Sequence, residues 1–260
     1  MDLEHVSTVI NLPGLDPHCC AFLLKELIKY VMYMRQQIPS LFPEVEKEAK
    51  EIEDIKKSHK RITLHQKKVL NSFNSFLSLC NDIDTLFSTI GDVKTLFFCI
   101  VLGQSVNIPH ELFFVRFHMD PSIVVDQSKF PNISNNLIRR LVMNGPEIFF
   151  TLSKQRKIFL LAHVDNQHVI EGFVPKQNFK VALPKQVRRM NHEPSKRVLV
   201  VEVTTPSTQT NKQDTLEHMF SYMIKNNKQE HKDSNNMWFL SSSHIKGFTA
   251  HHGSQKDQLY

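Results

Sequence analysis

An α+β fold is predicted from three features of the sequence. Two long stretches in the first ninety residues repeat their apolar side chains at three- and four-residue steps, the period of a helix buried along one side. From residue 95 onward, short runs rich in Val, Ile, Leu and Phe take over, closed by glycine or polar turns, as strands are. A further helical pattern interrupts those runs, so three helices and antiparallel strands interleave along one chain. With 260 residues, 41% of them apolar, there is material for a sizeable core in one large domain or two small ones.

Taken in order, Val9-Ile10-Asn11-Leu12 ahead of Pro13-Gly14 predicts a strand or arm ending in a turn. Asp16 before Pro17 is an N-cap followed by proline at the first helical position, where its missing N–H costs nothing. The helix so opened runs over 19–38 on Phe22, Leu23, Leu27, Tyr30, Val31 and Met34, and Pro39 and Pro43 end it. Residues 44–62 are dense in mixed charge and predict a solvated helix or loop. The second long helix spans 64–88 on Val69, Leu70, Phe73, Phe76, Leu77, Cys80, Ile83 and Leu86. The run 95–102, closed by Gly103, reads as a buried strand with 112–117 as its hairpin partner. A third helix begins near 126–128, carries Leu137, Ile138, Leu141 and Val142, and is kinked or stopped by Gly145-Pro146; 148–152 resumes as helix or becomes extended.

The C-terminal half reads as β. Residues 157–164 and 168–173 flank a polar turn as a hairpin, and 197–203 is a further strand. The stretch 204–236 is polar, with one amphipathic patch at Leu216, Met219, Phe220, Met223 and Ile224. Two last elements, 237–240 and 244–248, bring Trp238 and Phe248 as structural aromatics that pack these strands onto the helical layer, and a loose tail follows from Thr249.

The same sequence excludes several chemistries. The closest pair among the seven glycines, Gly247 and Gly253, is six apart, so neither a phosphate-cradling loop nor a dinucleotide fingerprint is formed. HExxH, GxSxG and CxxC are also absent, which removes the common zincin and α/β-hydrolase readings. Cys19 and Cys20 are adjacent, and Cys80 and Cys99 lie in apolar runs, so buried free thiols in a reducing compartment are expected. A thiol within a Phe-rich strand, as at Cys99, is desolvated and serves packing rather than nucleophilic attack. His163, His168, His251 and His252 have no Cys or carboxylate cluster to complete a ligand set, and Glu51 and Asp54 belong to the hydrated stretch, so no metal is expected. The excess of 32 Lys+Arg over 26 Asp+Glu is modest, and the basic stretch from Lys185 to Arg189, continued by Lys196-Arg197, lacks interleaved aromatics; no nucleic-acid partner is expected. The start Met1-Asp2-Leu3-Glu4 lacks the layout of a signal peptide, and the apolar run 96–102 is far short of the ~18 residues that span a bilayer, so no membrane partner is expected. The residues by themselves describe a binding module without catalytic residues or a cofactor.

A set of phrases adds to this reading. Cys20-Ala21-Phe22 leads to Glu26-Leu27-Ile28-Lys29-Tyr30-Val31-Met32-Tyr33-Met34-Arg35-Gln36-Gln37-Ile38-Pro39. Leu102-Gly103, Pro109-His110-Glu111-Leu112-Phe113, Val125-Asp126-Gln127-Ser128 and Ile138-Arg139-Arg140-Leu141 follow. Phe173-Val174-Pro175-Lys176-Gln177-Asn178-Phe179-Lys180-Val181 comes next, and last Trp238-Phe239 with Lys246-Gly247-Phe248. In this order and spacing, covering roughly residues 9–248, the chain resembles the comet family of spindle-checkpoint adaptors. The resemblance implies a HORMA-like fold, three helices packed on a mainly antiparallel sheet with a C-terminal segment like the partner's seat belt. It divides the chain into an arm over 1–16, a domain over 17–248 with a charged connector at 44–62 and a polar loop at 204–236, and a tail over 249–260.

It also implies a function without catalysis. Comet proteins bind the closed conformer of the checkpoint protein Mad-two and present it to a hexameric AAA+ ATPase, dismantling the mitotic checkpoint complex. A location in nucleus and cytoplasm follows, at kinetochore or spindle in mitosis. The family's Mad-two-binding surface falls on Met34 and Val142, where the family pattern carries Gln and Phe, with Arg139 three residues before Val142 as a rim partner. Pro175-Lys176 stands where the family presents a Pro-Lys pair to the ATPase, and the fixed φ of proline predicts a stiff, projecting turn over Val174-Pro175-Lys176. Two alternatives stay open at this point: a HORMA protein of meiosis or DNA repair that grips a peptide with its own seat belt, and an enzyme with an unrecognised site.

Overall fold

Asp16 opens the first helix, as its position before Pro17 predicts. In the computed structural model its Oδ1 accepts from the Cys19 N–H at 2.6 Å, and its Oδ2 accepts from the Val125 N–H at 2.7 Å. The structure describes residues 6–91, 93–120, 122–144, 156–165, 169–177, 179–182, 198–205 and 236–248. Strand β1 (Val6–Asn11) precedes helix α1 (Pro17–Met34). The helix stops at Met34, short of Ile38, because Gln36 turns left-handed at φ +51 and the Gln37 N–H closes back on the Met32 carbonyl at 2.8 Å.

Pro43 begins a helix where an end was expected. Helix α2 (Phe42–Lys57) takes it in its first turn and buries only Phe42, Val45, Ala49 and Ile52, leaving its charges to solvent. The charged connector is therefore an outer helix, and the described residues hold four α-helices instead of three. Phe42 anchors it, with ring centroids 4.4 Å from Phe76 and 6.0 Å from Phe73. Those two rings belong to helix α3 (Leu64–Ile90), which opens on a reciprocal capping box between Thr63 and Gln66. Helix α4 (Phe130–Asn144) follows a 3-10 turn at Gln127–Lys129 that Asp126 caps.

The strands are β2 (Thr95–Ser105), β3 (Ile108–His118), β4 (Lys157–Asp165), β5 (Phe173–Lys176), β6 (Val198–Thr204) and β7 (Asn236–Lys246). With β1 they form one mixed sheet in the order β1-β6-β3-β2-β4-β7-β5. Only β6 runs parallel to its neighbours, β1 and β3; the other pairs are antiparallel. Residues 6–11 of the expected arm are thus an edge strand of the sheet. The helices cover one face, where Leu24, Ile28, Phe76, Leu86, Leu137 and Leu141 meet Phe98, Ile100, Phe113, Leu160 and Val201. Their opposite-parity neighbours Cys99, Val101, Phe114, Leu161 and Val200 are buried on the other face.

Three β expectations change. Strand β4 pairs with β2 and β7, so 157–164 and 168–173 are not a hairpin. A turn at Ile170, with Gly172 at φ +80 and the Phe173 N–H bonded to the Ile170 carbonyl at 3.1 Å, carries the chain to β5 beyond β7. The two short terminal elements are one strand, β7, with an irregularity facing 159–161. Trp238 does not touch the helical layer. It shares the far face with Val181, Leu161 and Val200, whereas Phe248 lies on the helical side, because the strand ends at Lys246 and the chain turns at Gly247. The stop at Gly145-Pro146, the segment 148–152, the basic stretch 185–197, the patch from Leu216 to Ile224, His168, His251, His252 and the tail lie outside the described residues.

A buried polar cluster joins these parts. Arg35, 1% exposed, lies below the apolar stripe of α1; its Nε donates to Glu111 Oε2 at 2.6 Å and its Nη2 to Oε1. Gln37, fully buried, donates from Nε2 to the Arg35 carbonyl at 2.6 Å and accepts the Arg156 N–H on Oε1 at 2.6 Å. Its own carbonyl accepts the Phe248 N–H at 2.8 Å. Removing one partner of such a pair strands a charge in the core: Arg35→Met is expected to lose about 3–5 kcal/mol in urea or thermal unfolding. The double variant Arg35→Met/Glu111→Leu should lose less than the sum of its singles. An Arg35→Met protein as stable as wild type would place the pair in contact with water.

Candidate functional site

The candidate surfaces lie on α4, at the end of α1 and along β5. Helix α4 buries Phe130, Ile133, Leu137 and Leu141 and turns Arg139, Val142 and Met143 outward. Val142 is 48% and Met143 69% exposed, which makes this face apolar with a guanidinium beside it. Arg139 and Val142 stand three residues apart, so they are neighbours on the same side of the helix. Met34 is the last residue of α1 and half-buried, next to Tyr33, which is exposed. The two helices pack against each other, with the Phe22 and Phe130 rings 5.4 Å apart.

Pro175 and Lys176 do not form a projecting turn. They are the last two residues of edge strand β5, where Pro175 stands opposite Phe239 and Lys176 opposite Trp238. Proline belongs on such a strand because it has no N–H to leave unpaired at the open edge. Val174 and Pro175 are exposed and Lys176 is half-buried.

Lys176 ends a row that crosses the whole sheet on the face away from the helices. Val9, Glu202, Arg116, Phe97, His163, Trp238 and Lys176 are successive cross-strand partners. The Arg116 guanidinium lies 4.9 Å from the Phe97 ring centroid, and its Nη1 is 3.3 Å from Glu202 Oε1. The same oxygen is 2.5 Å from His118 Nε2. Burial lowers the pKa of Arg116 and the neighbouring Glu202 charge raises it. His163 packs its ring 5.0 Å from Trp238 and 6.3 Å from Phe97.

Nothing in this arrangement resembles a nucleophile and its base. Burial pushes the Cys19 thiol up to about 12 and the Cys80 thiol up to about 11, and raises Cys20 and Cys99 well above the ordinary range. Among the described residues no three His, Cys, Asp or Glu side chains converge as a metal site, and no helix is long and apolar enough to cross a membrane.

The polar cluster of Arg35, Gln37 and Glu111 escaped the sequence reading. Its signal was available: Leu24, Ile28, Val31 and Arg35 follow each other at helical spacing, so the stripe carries the arginine inward. No family model matches the chain, and no curated protein matches it either.

His163 supplies a pH-dependent stability. Burial lowers its pKa from the usual 6.5 to about 4, so the unfolded chain takes up a proton between those values that the folded chain does not. Stability is therefore expected to fall as pH drops from about 7 to about 4, by on the order of 3 kcal/mol from this residue. Thermal melts of wild type and His163→Phe across that range provide the check, and the variant should lose less. Parallel curves would show His163 to be as hydrated in the folded state as in the unfolded one.

Proposed function

We propose that this chain is a non-enzymatic, HORMA-like adaptor of the comet family. In this reading it binds the closed conformer of Mad-two and presents it to a hexameric AAA+ ATPase, silencing the spindle assembly checkpoint by dismantling the mitotic checkpoint complex. It works in nucleus and cytoplasm, and at kinetochore or spindle in mitosis. The observation that carries the reading is the outward face of α4: Val142 and Met143 stay exposed on a helix whose opposite side is fully committed to the core. An apolar centre with an arginine at its margin is the composition of a protein interface.

Other features support it. The family-like phrases fall on separate elements in chain order: α1, the β2–β3 hairpin, α4, β5 and β7. Pro175 and Lys176 lie on a sheet edge and Arg139 and Val142 on a helix, so two partners have separate places to dock. Selectivity for the closed conformer needs only a difference in affinity between the two forms, about 5.5 kcal/mol for a switch from 1:99 to 99:1. On β5 the proline lowers the ordering cost of docking, and Lys176 offers a charge to an acidic surface on the ATPase.

Gel filtration with closed and open Mad-two, run separately, tests the reading. Co-elution is expected with the closed form only, and Val142→Glu, which forces an unpaired carboxylate into the interface, should abolish it. Folded Val142→Glu that still co-elutes would move the interface off this face of α4. Pro175→Ala/Lys176→Ala should retain co-elution yet stop ATP-driven loss of closed Mad-two in the presence of the ATPase. Equal rates with wild type and this double variant at limiting adaptor would take both residues out of the mechanism.

A further inference from the structure

Where β2, β4 and β7 end together, beside the Gln37 cluster, a cavity of about 360 Å³ is lined by Gly103, Gln104, Arg156, Lys157, Lys246 and Gly247. Its charge pattern is unusual. Lys157 stands directly opposite Lys246 in the β4–β7 ladder and opposite Gly103 in the β2–β4 ladder. Like charges facing each other across a ladder repel. Among the described residues neither ammonium has a carboxylate within ion-pair distance. Arg156 adds a third cation: its Nη2 lies 3.0 Å from His110 Nε2, a ring nitrogen that accepts the bond without supplying negative charge.

The backbone packs closely against two of the lining positions. A side chain at Gly103 is ruled out, since a Cβ would stand 2.5 Å from the Ile108 carbonyl oxygen. At Gly247 a Cβ would stand 2.7 Å from the Gln37 carbonyl oxygen, so that wall is fixed by the buried cluster beneath it. His244, two residues before Lys246, is held below its ordinary pKa by burial and by the Lys157 charge, so the positive field reaches along β7.

We propose that this cavity binds a phosphate-bearing anion, with Lys157, Lys246 and Arg156 as its counter-ions. Three cations around one cavity exceed what a single carboxylate neutralises and match the multiple charge of a di- or triphosphate. Two lysines supply point charges and the arginine a planar fork, the combination suited to phosphate oxygens. The volume is that of a small-molecule site. Among the described residues no aromatic ring lines it, so the phosphates and not a stacked base carry the recognition. The cavity lies at the opposite end of β7 from Trp238 and Lys176, and the proposal is independent of the docking surfaces above.

Calorimetric titration of the full chain with pyrophosphate, in low salt without divalent metal, tests it. Saturable binding with a Kd below about 1 mM is expected, and Lys157→Gln/Lys246→Gln should weaken it at least about tenfold, while Lys67→Gln on α3 leaves it unchanged. Without ligand the double variant should melt no lower than wild type, since it loses a repulsion and no ion pair. An ADP arm identifies the source: binding about tenfold tighter than pyrophosphate denotes a nucleotide, and equal binding a free polyphosphate. No saturable heat up to about 5 mM pyrophosphate, or a double variant that binds as wild type does, would overturn the assignment.

Discussion

The buried ion pair between Arg35 and Glu111, with Gln37 beside it, is the constraint on which the rest of this fold depends. An ion pair in a core is weak evidence of stability, because desolvating two charges offsets much of their attraction. Its value here is in location. Arg35 follows the last turn of α1, Glu111 sits on β3, Arg156 introduces β4 and Phe248 follows β7; Gln37 bonds to three of these positions through its amide and its carbonyl. A fully buried amide leaves little freedom in how those segments meet, since each misplacement leaves a donor or acceptor unsatisfied.

Such a fixing point matters because the sheet is assembled out of chain order. The β2–β3 hairpin is local, but β6 joins β3 on one side some eighty residues downstream, and β4 joins β2 on the other with β7 beyond it. These closures carry a loop-entropy cost that central strand packing alone must repay. The cluster ties the closing end of β7 to the first helix in the chain. What is left at the periphery is then free for contacts: α4 keeps one apolar stripe inside and one outside, and β5 presents an open edge with proline in it. The far face of the sheet carries its own buried charge, Glu202 between Arg116 and His118, which pins the parallel strand β6 in register against β3.

Much of this was legible from local signals. Asp16-Pro17 fixed the start of α1, the Phe-rich run and Gly103 fixed the β2–β3 hairpin, and the spacing of Arg139 and Val142 put them on one helix face. What was missed depends on long-range partners. Proline at 43 and at 175 suggested a stop and a turn, yet a first helical turn and an edge strand tolerate it equally well. Trp238 and Phe248 share parity, and only the turn at Gly247 puts them on opposite sides of the sheet. The partner of β5 is β7, some sixty residues away, and no hairpin pattern encodes that pairing. Arg35 and Glu111 are seventy-six residues apart, so neither residue marks the other in the sequence.

Native-state hydrogen exchange of two amides tests most directly whether the cluster holds the fold together. The Arg156 N–H and the Phe248 N–H both donate to Gln37 and close segments that are distant in sequence. If the cluster is the joint between α1 and the closing strand, both amides should open only with the global unfolding that exposes the β2–β3 ladder around Cys99 and Phe114. Exchange of Phe248 and Arg156 at an opening free energy more than about 2 kcal/mol below that of the ladder would contradict it, and would make the C-terminal strand a separately unfolding unit.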